Sequence, residues 1–379
     1  MNPTSEIDRR YAILALRGFV ETFWKAGVRS IPEFNKWKKD NIKYMETAFG
    51  YEKKPGMPPI TGLVKAFFHP KLPLVGLNYT QLAHNTLHEF PSGWTAALRL
   101  CRGIIFDNNG DLVAIPFPKF FNFGEHPEAI NIPGGNFEAT CKQDGHLGII
   151  FKYRHHFILT TRGSFESPSA KLGQWMISRH ANKWNWQKHF PTGTTVLVEI
   201  IHPRTQVYVD YGIKRDLMTI GAYRNSDAYS YNYNQLDVLS RELNLSVTPI
   251  WTGESIRDLR ELMRDRTQKN QEGYVVQFQN GLRVKFKFET YIGLMVEGNL
   301  SSAYLMQRIL TGNLEKMLLT LPEEIYDTAL RMLGEIMLRI STPGEKKDKW
   351  RRLYDLPHTT SDEHFKGICR KLVHHMLVD

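Results

Sequence analysis

The sequence predicts an α+β protein: a domain of mainly antiparallel sheets with flanking helices, plus an all-helical C-terminal domain. Three observations carry this expectation. From about Leu72 to Phe288 the chain runs in short β-rich stretches separated by turn signals. Asn108-Asn109-Gly110 and Asn280-Gly281 join neighbouring stretches closely enough for hairpins, which makes the sheets largely antiparallel. After Tyr291 the β pattern stops and apolar residues recur at helical spacing instead.

Taken in order, Ile7, Tyr11, Leu14, Val20 and Trp24 trace a rough helical period, and Lys36, Lys38, Lys39, Lys43, Lys53 and Lys54 follow. Residues 1–62 therefore read as a basic helical extension, and Pro55, Gly56, Pro58, Pro59 and Gly62 predict a hinge or loop before Leu63. Within 63–292 the expected strands are Gly103–Phe106, Leu147–Tyr153, Thr195–Ile201, Gln206–Asp210, Leu217–Tyr223, Tyr274–Phe278 and Leu282–Phe288, with helices near Ser169–His180 and Asn234–Leu243. In 293–379, Leu305, Ile309 and Leu310, then Ile325, Ala329, Met332 and Ile336, then Phe365, Ile368, Leu372 and Met376 mark helical faces. Pro322 followed by Glu323 and Glu324 suits a helix start.

Composition narrows the classes. Lys and Arg total 49 against 39 Asp and Glu, a formal charge of +10 that favours polyanionic partners, nucleic acid first among them. Cys101, Cys141 and Cys369 are too few and too scattered for a disulfide framework or a zinc cluster, which points to a reducing compartment. The first thirty residues mix Glu6, Asp8, Arg9 and Arg10 into the apolar pattern, unlike a signal peptide, and no apolar run is long enough to span a bilayer. The expectation is a soluble, intracellular protein, cytoplasmic or in a host's cytoplasm if viral, without a membrane partner.

Chemistry concentrates in Lys142-Gln143-Asp144-Gly145, Glu272-Gly273-Tyr274-Val275-Val276 and Val284-Lys285-Phe286-Lys287. A lysine nucleophile must be neutral, and moving its pKa from ~10.4 to ~7 takes about 4 to 5 kcal/mol, available from neighbouring cations, desolvation or a divalent metal. Lys285 and Lys287, two apart on a strand, project to one face and can hold phosphate oxygens together. Glu199 and Glu272 sit in or beside apolar strands, where a carboxylate is expensive unless paired or metal-linked. Arg102-Gly103 and Lys119-Phe120-Phe121-Asn122 add cations next to aromatic faces. Each fragment alone has a bland reading: a Lys-x-Asp-Gly usually marks a solvated turn, a buried glutamate an ion pair, an aromatic run the core.

In their order, Arg102-Gly103, Lys119-Phe120-Phe121-Asn122, Lys142-Gln143-Asp144-Gly145, Thr161-Arg162-Gly163-Ser164, Glu199, Glu272-Gly273 and Lys285-Phe286-Lys287 resemble the motif series of covalent nucleotidyltransferases, most closely the phage T4 RNA ligase 1-like RNA ligases. The resemblance spans roughly Leu77 to Tyr291 and marks 63–292 as an adenylyltransferase domain. It implies ATP, Mg²⁺ or Mn²⁺, and three steps: Lys142 takes AMP from ATP, the AMP passes to an RNA 5'-phosphate, and a 3'-hydroxyl displaces it. By position, Arg102, Lys119, Lys285 and Lys287 resemble the phosphate-binding cations, and Gly145 and Gly273 the close-approach glycines. Glu199 would serve the nucleoside or a metal-bound water, Glu272 the metal, and Phe121 the nucleotide. Tyr79 and Tyr291 resemble site tyrosines. Arg162 stands where many members have lysine, which keeps charge and changes geometry.

The implied partners are RNA ends, nicked tRNA among them, and an end-healing kinase/phosphatase, with the chain itself a monomer. A DNA ligase or guanylyltransferase of the same superfamily and a catalytically silent RNA-binding homologue are the alternatives; the helical tail, lacking barrel-like strands, disfavours the first two. His84 and His88 have metal-ligand spacing but lack an intervening glutamate motif, so they read as a surface or capping pair. His155-His156 and His374-His375 read as exposed, Gly134-Gly135 as a turn, and Cys141 as packing.

Overall fold

Ser5 accepts a hydrogen bond from the Asp8 amide and so starts the first helix, α1 (Glu6–Lys25), which is followed by α2 (Ile31–Asp40) and α3 (Ile42–Phe49). The computed structural model describes residues 5–87, 90–264, 270–292, 300–318, 323–356 and 362–376. Two compact units are present, Met1–Phe288 and Glu289–Asp379. The N-terminal helices lie inside the first. Leu16, Phe19, Val20 and Phe23 of α1 are buried, and Phe19 and Phe23 pack edge-on against Phe34 and Trp37. Of the apolar period read in the sequence, Val20 and Trp24 are buried while Ile7, Tyr11 and Leu14 are exposed, so it marks the inward face only in the second half of the helix. Two turns of the sheet region hold α1: Arg17 pairs with Asp111 at 2.6 Å, and Arg9 donates to the Ala228 carbonyl.

The strands run along the chain as β1 (Val64–Phe68), β2 (Leu74–Tyr79), β3 (Arg102–Asp107), β4 (Leu112–Ala114), β5 (Phe121–Asn122), β6 (Phe137–Lys142), β7 (His146–Tyr153), β8 (His156–Thr160), β9 (Thr194–Ile201), β10 (Asp216–Arg224), β11 (Tyr229–Ser230), β12 (Ser246–Val247), β13 (Ile250–Gly253), β14 (Gly273–Phe278) and β15 (Arg283–Lys287). Among the described residues they form three sheets, ordered β1-β2-β3-β4, β11-β10-β9-β7-β8 with β12 beside β10, and β13-β6-β14-β15-β5. All pairings are antiparallel except β10 with β12 and β15 with β5. Asn108-Asn109-Gly110 closes β3 onto β4, with Gly110 at φ +78°, and Asn280-Gly281 closes β14 onto β15.

Helices α4 (Pro168–Lys183) and α5 (Tyr233–Glu242) accompany the second sheet, where Ile177, Trp186, Val196, Val198, Ile200 and Leu236 share one buried cluster. Each such side chain contributes roughly 1.5–3 kcal/mol. Gly173 lets α4 come close, because a Cβ there would meet Leu159 at 2.7 Å.

One expected strand does not form: Gln206–Asp210 is irregular, since the amides of Tyr208 and Val209 donate to the Asp144 carboxylate rather than to a neighbouring strand.

The second unit is helical in its described residues: α6 (Ser302–Leu310), α7 (Glu323–Ser341), α8 (Lys346–Tyr354) and α9 (Asp362–Met376), with a short helix at Leu314–Leu318. Leu305, Ala329, Ile336, Phe365 and Leu372 are buried. The helix start expected at Pro322 lies outside the described residues. No described helix is long and apolar enough to cross a membrane.

Candidate active site

Strand register builds the centre of the site. Lys142, the last residue of β6, lies opposite Gly273 of β14, and Gly273 lies opposite Lys287 of β15, so the two lysines end one row across three adjacent strands of the five-stranded sheet. Glu272 immediately precedes that glycine. One of its oxygens is 2.6 Å from Lys142 Nζ and the other 2.8 Å from Lys287 Nζ. The carboxylate and Lys287 are both buried, while Lys142 keeps 19% of its side chain open. A buried charge pair persists only when both partners are present. Gly273 sits at φ +144°, and a Cβ on it would fall 2.0 Å from the Phe286 carbonyl. Close approach of the neighbouring strand therefore requires this glycine.

Asp144 and Gly145 turn the chain out of β6 toward β7. The turn is buried, not the solvated one such a tetrapeptide usually marks: Asp144 Oδ2 accepts from the amides of Tyr208 at 2.7 Å and Val209 at 2.6 Å. Tyr211 accepts from the Asp144 amide and donates to Gln143 Oε1, and burial pushes its phenol up. At Gly145 a Cβ would sit 2.5 Å from the Ile200 carbonyl, so this glycine too admits a strand of the protein. Its amide donates to Glu199 Oε1 at 3.1 Å. Glu199 keeps part of its surface accessible, yet its surroundings are dense enough that desolvation pushes its pKa up to about 8. The negative charges of Glu272 and Asp144 add to the shift, while Lys142 and the Gly145 amide oppose it.

Glu199 and Glu272 are the residues that could hold a metal. No group of three or more His, Cys, Asp or Glu suited to a metal occurs among the described residues. Mg²⁺ is commonly held by one or two carboxylates with water and substrate phosphates, and Glu272 and Glu199 are near enough for the charge of one to raise the pKa of the other. The two carboxylates fit that arrangement.

A second cluster adjoins through β15, whose Lys285 lies opposite Asn122 of β5. Lys285 and Lys119 are buried rather than displayed on an open surface. Lys119 Nζ lies 4.8 Å from the Phe121 ring, 5.0 Å from Trp94 and 5.6 Å from Tyr79, with His84 Nδ1 at 3.3 Å and Glu125 at 3.7 Å. Burial alone would raise the Glu125 pKa, but Lys119 and Lys285 outweigh it and hold the carboxyl below its ordinary value. Phe121 stacks on His126 with ring centroids 4.0 Å apart and is buried, so its ring is engaged by protein neighbours.

Arg162 donates to the Tyr79 hydroxyl at 3.0 Å and lies over the same ring. Gly103, at φ +101°, allows Arg162 close to the start of β3, since a Cβ there would lie 3.1 Å from Arg162 Cα. Arg102 lies 5.9 Å from the Phe120 ring, and its buried Nε has no hydrogen-bond partner among the described residues.

The first unit thus gathers Lys142, Glu272, Lys287, Gly273, Gly145 and Glu199 in one region, and Tyr79, Arg162, Arg102, Lys119, Phe121 and Lys285 in the adjoining one. Tyr291 belongs to the second unit and is buried. Sequence reasoning passed over Glu125, which is engaged by Lys119 and Asn122 of its own segment, and Trp94 and Tyr211, whose site partners are distant in the chain. It also read His84 as a surface or capping residue, whereas His84 is buried against Lys119; His88 lies outside the described residues. His155, His156, His374 and His375 are exposed.

The T4 RNA ligase 1 family model, described as RNA ligase, matches residues 100–291. A protein of Thermovibrio ammonificans provisionally named an RNA ligase is 30% identical over 129 residues, covering 33% of this chain and 34% of that protein. The chain therefore spans about a third of that relative. A solved Naegleria gruberi RNA ligase with PPi is 20% identical, with a TM-score of 0.36 over 42% of this chain and 51% of that one. An archaeal ATP-dependent RNA ligase is 11% identical, with a TM-score of 0.41 over 63% and 70%. The Naegleria protein was also solved as mutants with ATP and Mn or with AMP and Mn.

Proposed function

Since the chain belongs to the T4 RNA ligase 1-like family of RNA ligases, we propose that it is an ATP-dependent RNA ligase that joins a 5'-phosphate to a 3'-hydroxyl through AMP carried on Lys142. The observation that supports this most directly is the row of Lys142, Gly273 and Lys287, with Glu272 held between both lysines. Glu272 fixes the amine at the end of β6. Attack needs a free lone pair, so the ion pair must loosen and one ammonium proton must leave. The amine then bonds to the α-phosphorus of ATP, the bond to the bridging oxygen breaks, and pyrophosphate departs. Transfer of AMP to the RNA 5'-phosphate regenerates the amine, and attack by a 3'-hydroxyl releases AMP.

Charge supports the same reading. Lys142, Lys287, Lys119 and Lys285 outnumber Glu272 and Glu125, and Arg102 and Arg162 add to the excess, which suits a polyphosphate. Glu199, which accepts a hydrogen bond from the Gly145 amide, would serve the nucleoside or a metal-bound water. A divalent cation bound at Glu272 and Glu199 would supply countercharge for the phosphates. Family likeness extends the proposal to nicked tRNA as substrate, an end-healing kinase/phosphatase as partner, a monomeric state and an RNA-selecting role for the helical region.

Intact-mass measurement after incubation with ATP and magnesium tests the core of this. The chain should gain one AMP, lose it on adding RNA with a 5'-phosphate, and show no gain with GTP. No adduct under these conditions would favour a silent RNA-binding homologue.

A further inference from the structure

Helix α4 carries Lys171, Arg179 and Lys183, together with His180, and contains no Asp or Glu. Lys171, Trp175, Arg179 and Lys183 are all exposed and follow one another at intervals of four, about 6 Å apart along the axis. The Arg179 guanidinium lies 4.5 Å over the Trp175 ring, which is 43% exposed, and Lys183 lies 5.0 Å over exposed Trp184. Beside this stripe runs a groove of about 300 Å³, lined among others by Trp175, Arg179, Lys183, Arg215, Asn244 and Ser246. Its one carboxylate, Asp216, is engaged by Lys214 at 3.1 Å. No ion pair with a carboxylate forms at Arg179, Lys183 or Arg215 among the described residues. Large exposed indoles flanked by uncompensated cations are poorly suited to solvent and well suited to a strand that has both phosphates and flat bases.

The groove lies on the face of the second sheet that α4 covers, opposite to the face onto which Glu199 projects. Leu217 in its wall lies opposite Ile200 of β9, and Ile200 lies opposite His146 of β7, the residue after the Lys142–Gly145 turn. Two strand spacings, roughly 10 Å, separate Leu217 from His146. Below the groove, His180 and Trp186 both hydrogen-bond the Leu243 carbonyl, so its floor is fixed.

We propose that this groove binds a single-stranded stretch of the RNA substrate, with a base stacked on Trp175 and phosphates on Arg179, Lys183 and Arg215. The assignment rests on the ligase reading for the identity of the strand, but the groove takes no part in adenylylation. The test measures binding of a fluorescent, unstructured RNA oligonucleotide across a salt series, with polyglutamate as a control polyanion. Trp175→Ala should weaken RNA binding about tenfold, as loss of one stacked base does. Arg179→Gln/Lys183→Gln/Arg215→Gln should lower the slope of log K against log salt by about 2, at ~0.7 per phosphate neutralised. Both variants should take AMP from ATP as the unsubstituted chain does, which shows that the fold is intact. Unchanged affinity and slope would overturn the proposal, as would an equal loss for polyglutamate with Trp175→Ala. Failure of the unsubstituted chain to take AMP would sink the ligase reading, while the oligonucleotide measurements would still decide whether the groove binds RNA.

Discussion

Replacing Lys287 by methionine tests the buried centre of the site. Lys287 Nζ is 2.8 Å from Glu272, and both side chains are almost wholly enclosed. At an effective dielectric of ~20 such a pair is worth about 6 kcal/mol of Coulomb energy. Part of that is not lost, because Lys142 remains 2.6 Å from the other oxygen and no longer feels the repulsion of Lys287. The net loss is then about 3 kcal/mol, at the low end for breaking a buried pair. Lys287→Met should lower the urea midpoint of the full chain by about 1 M, read from tryptophan fluorescence. Adding Glu272→Gln should recover part of it, because the stranded carboxylate is gone. Additivity of the two changes to within about 0.5 kcal/mol would refute the coupling argued from the geometry.

Lys142→Ala should abolish the AMP adduct in the intact mass, and an adduct on the variant would place the nucleophile elsewhere. Glu199→Gln should change how stability depends on pH. A carboxyl raised from 4.5 to about 8 by folding contributes stability that is present in full below pH 4.5 and is lost as pH rises through 8. The variant should therefore flatten the decline between those values and be the more stable form above pH 8 in thermal melts. Parallel pH curves for the two proteins would remove desolvation as the cause. Asp144→Ala should release the Tyr208 and Val209 amides, lower stability by about 2–3 kcal/mol and slow AMP loading. Hydrogen exchange at those two amides checks it, and retained protection would count against the anchor.

Much of this architecture could be read from local pattern. Asn-Gly turns between β-rich runs fix hairpins through backbone geometry, and the β14–β15 hairpin puts Lys285 and Lys287 on one face because strand side chains alternate. What escaped was decided by contacts across the chain. Gln206–Asp210 has the composition of a strand, but a carboxylate more than sixty residues earlier takes its amides. In helix α1 the exposed Ile7, Tyr11 and Leu14 look as apolar as the buried residues, and the inward face is set by Phe19 and Phe23 packing on Phe34 and Trp37. His84 looked like half of a surface pair because nothing local announces Lys119, thirty-five residues on.

The site's electrostatics follow from these distant pairings. Cations meant for phosphate would repel one another if gathered without counterions, and burying them would add a desolvation penalty. Here Glu272 pairs with both Lys142 and buried Lys287, and Glu125 pairs with buried Lys119 and feels the charge of buried Lys285. One negative charge for two positive ones lets the lysines be held in fixed positions before a ligand arrives, while leaving a surplus that only an anion can neutralise. Full pairing would make the pocket indifferent to phosphate, and no pairing would leave it too repulsive to fold. The half-neutralised arrangement meets both demands, and under the proposed ligase function the two glutamates would serve phosphate recognition through the lysines they hold.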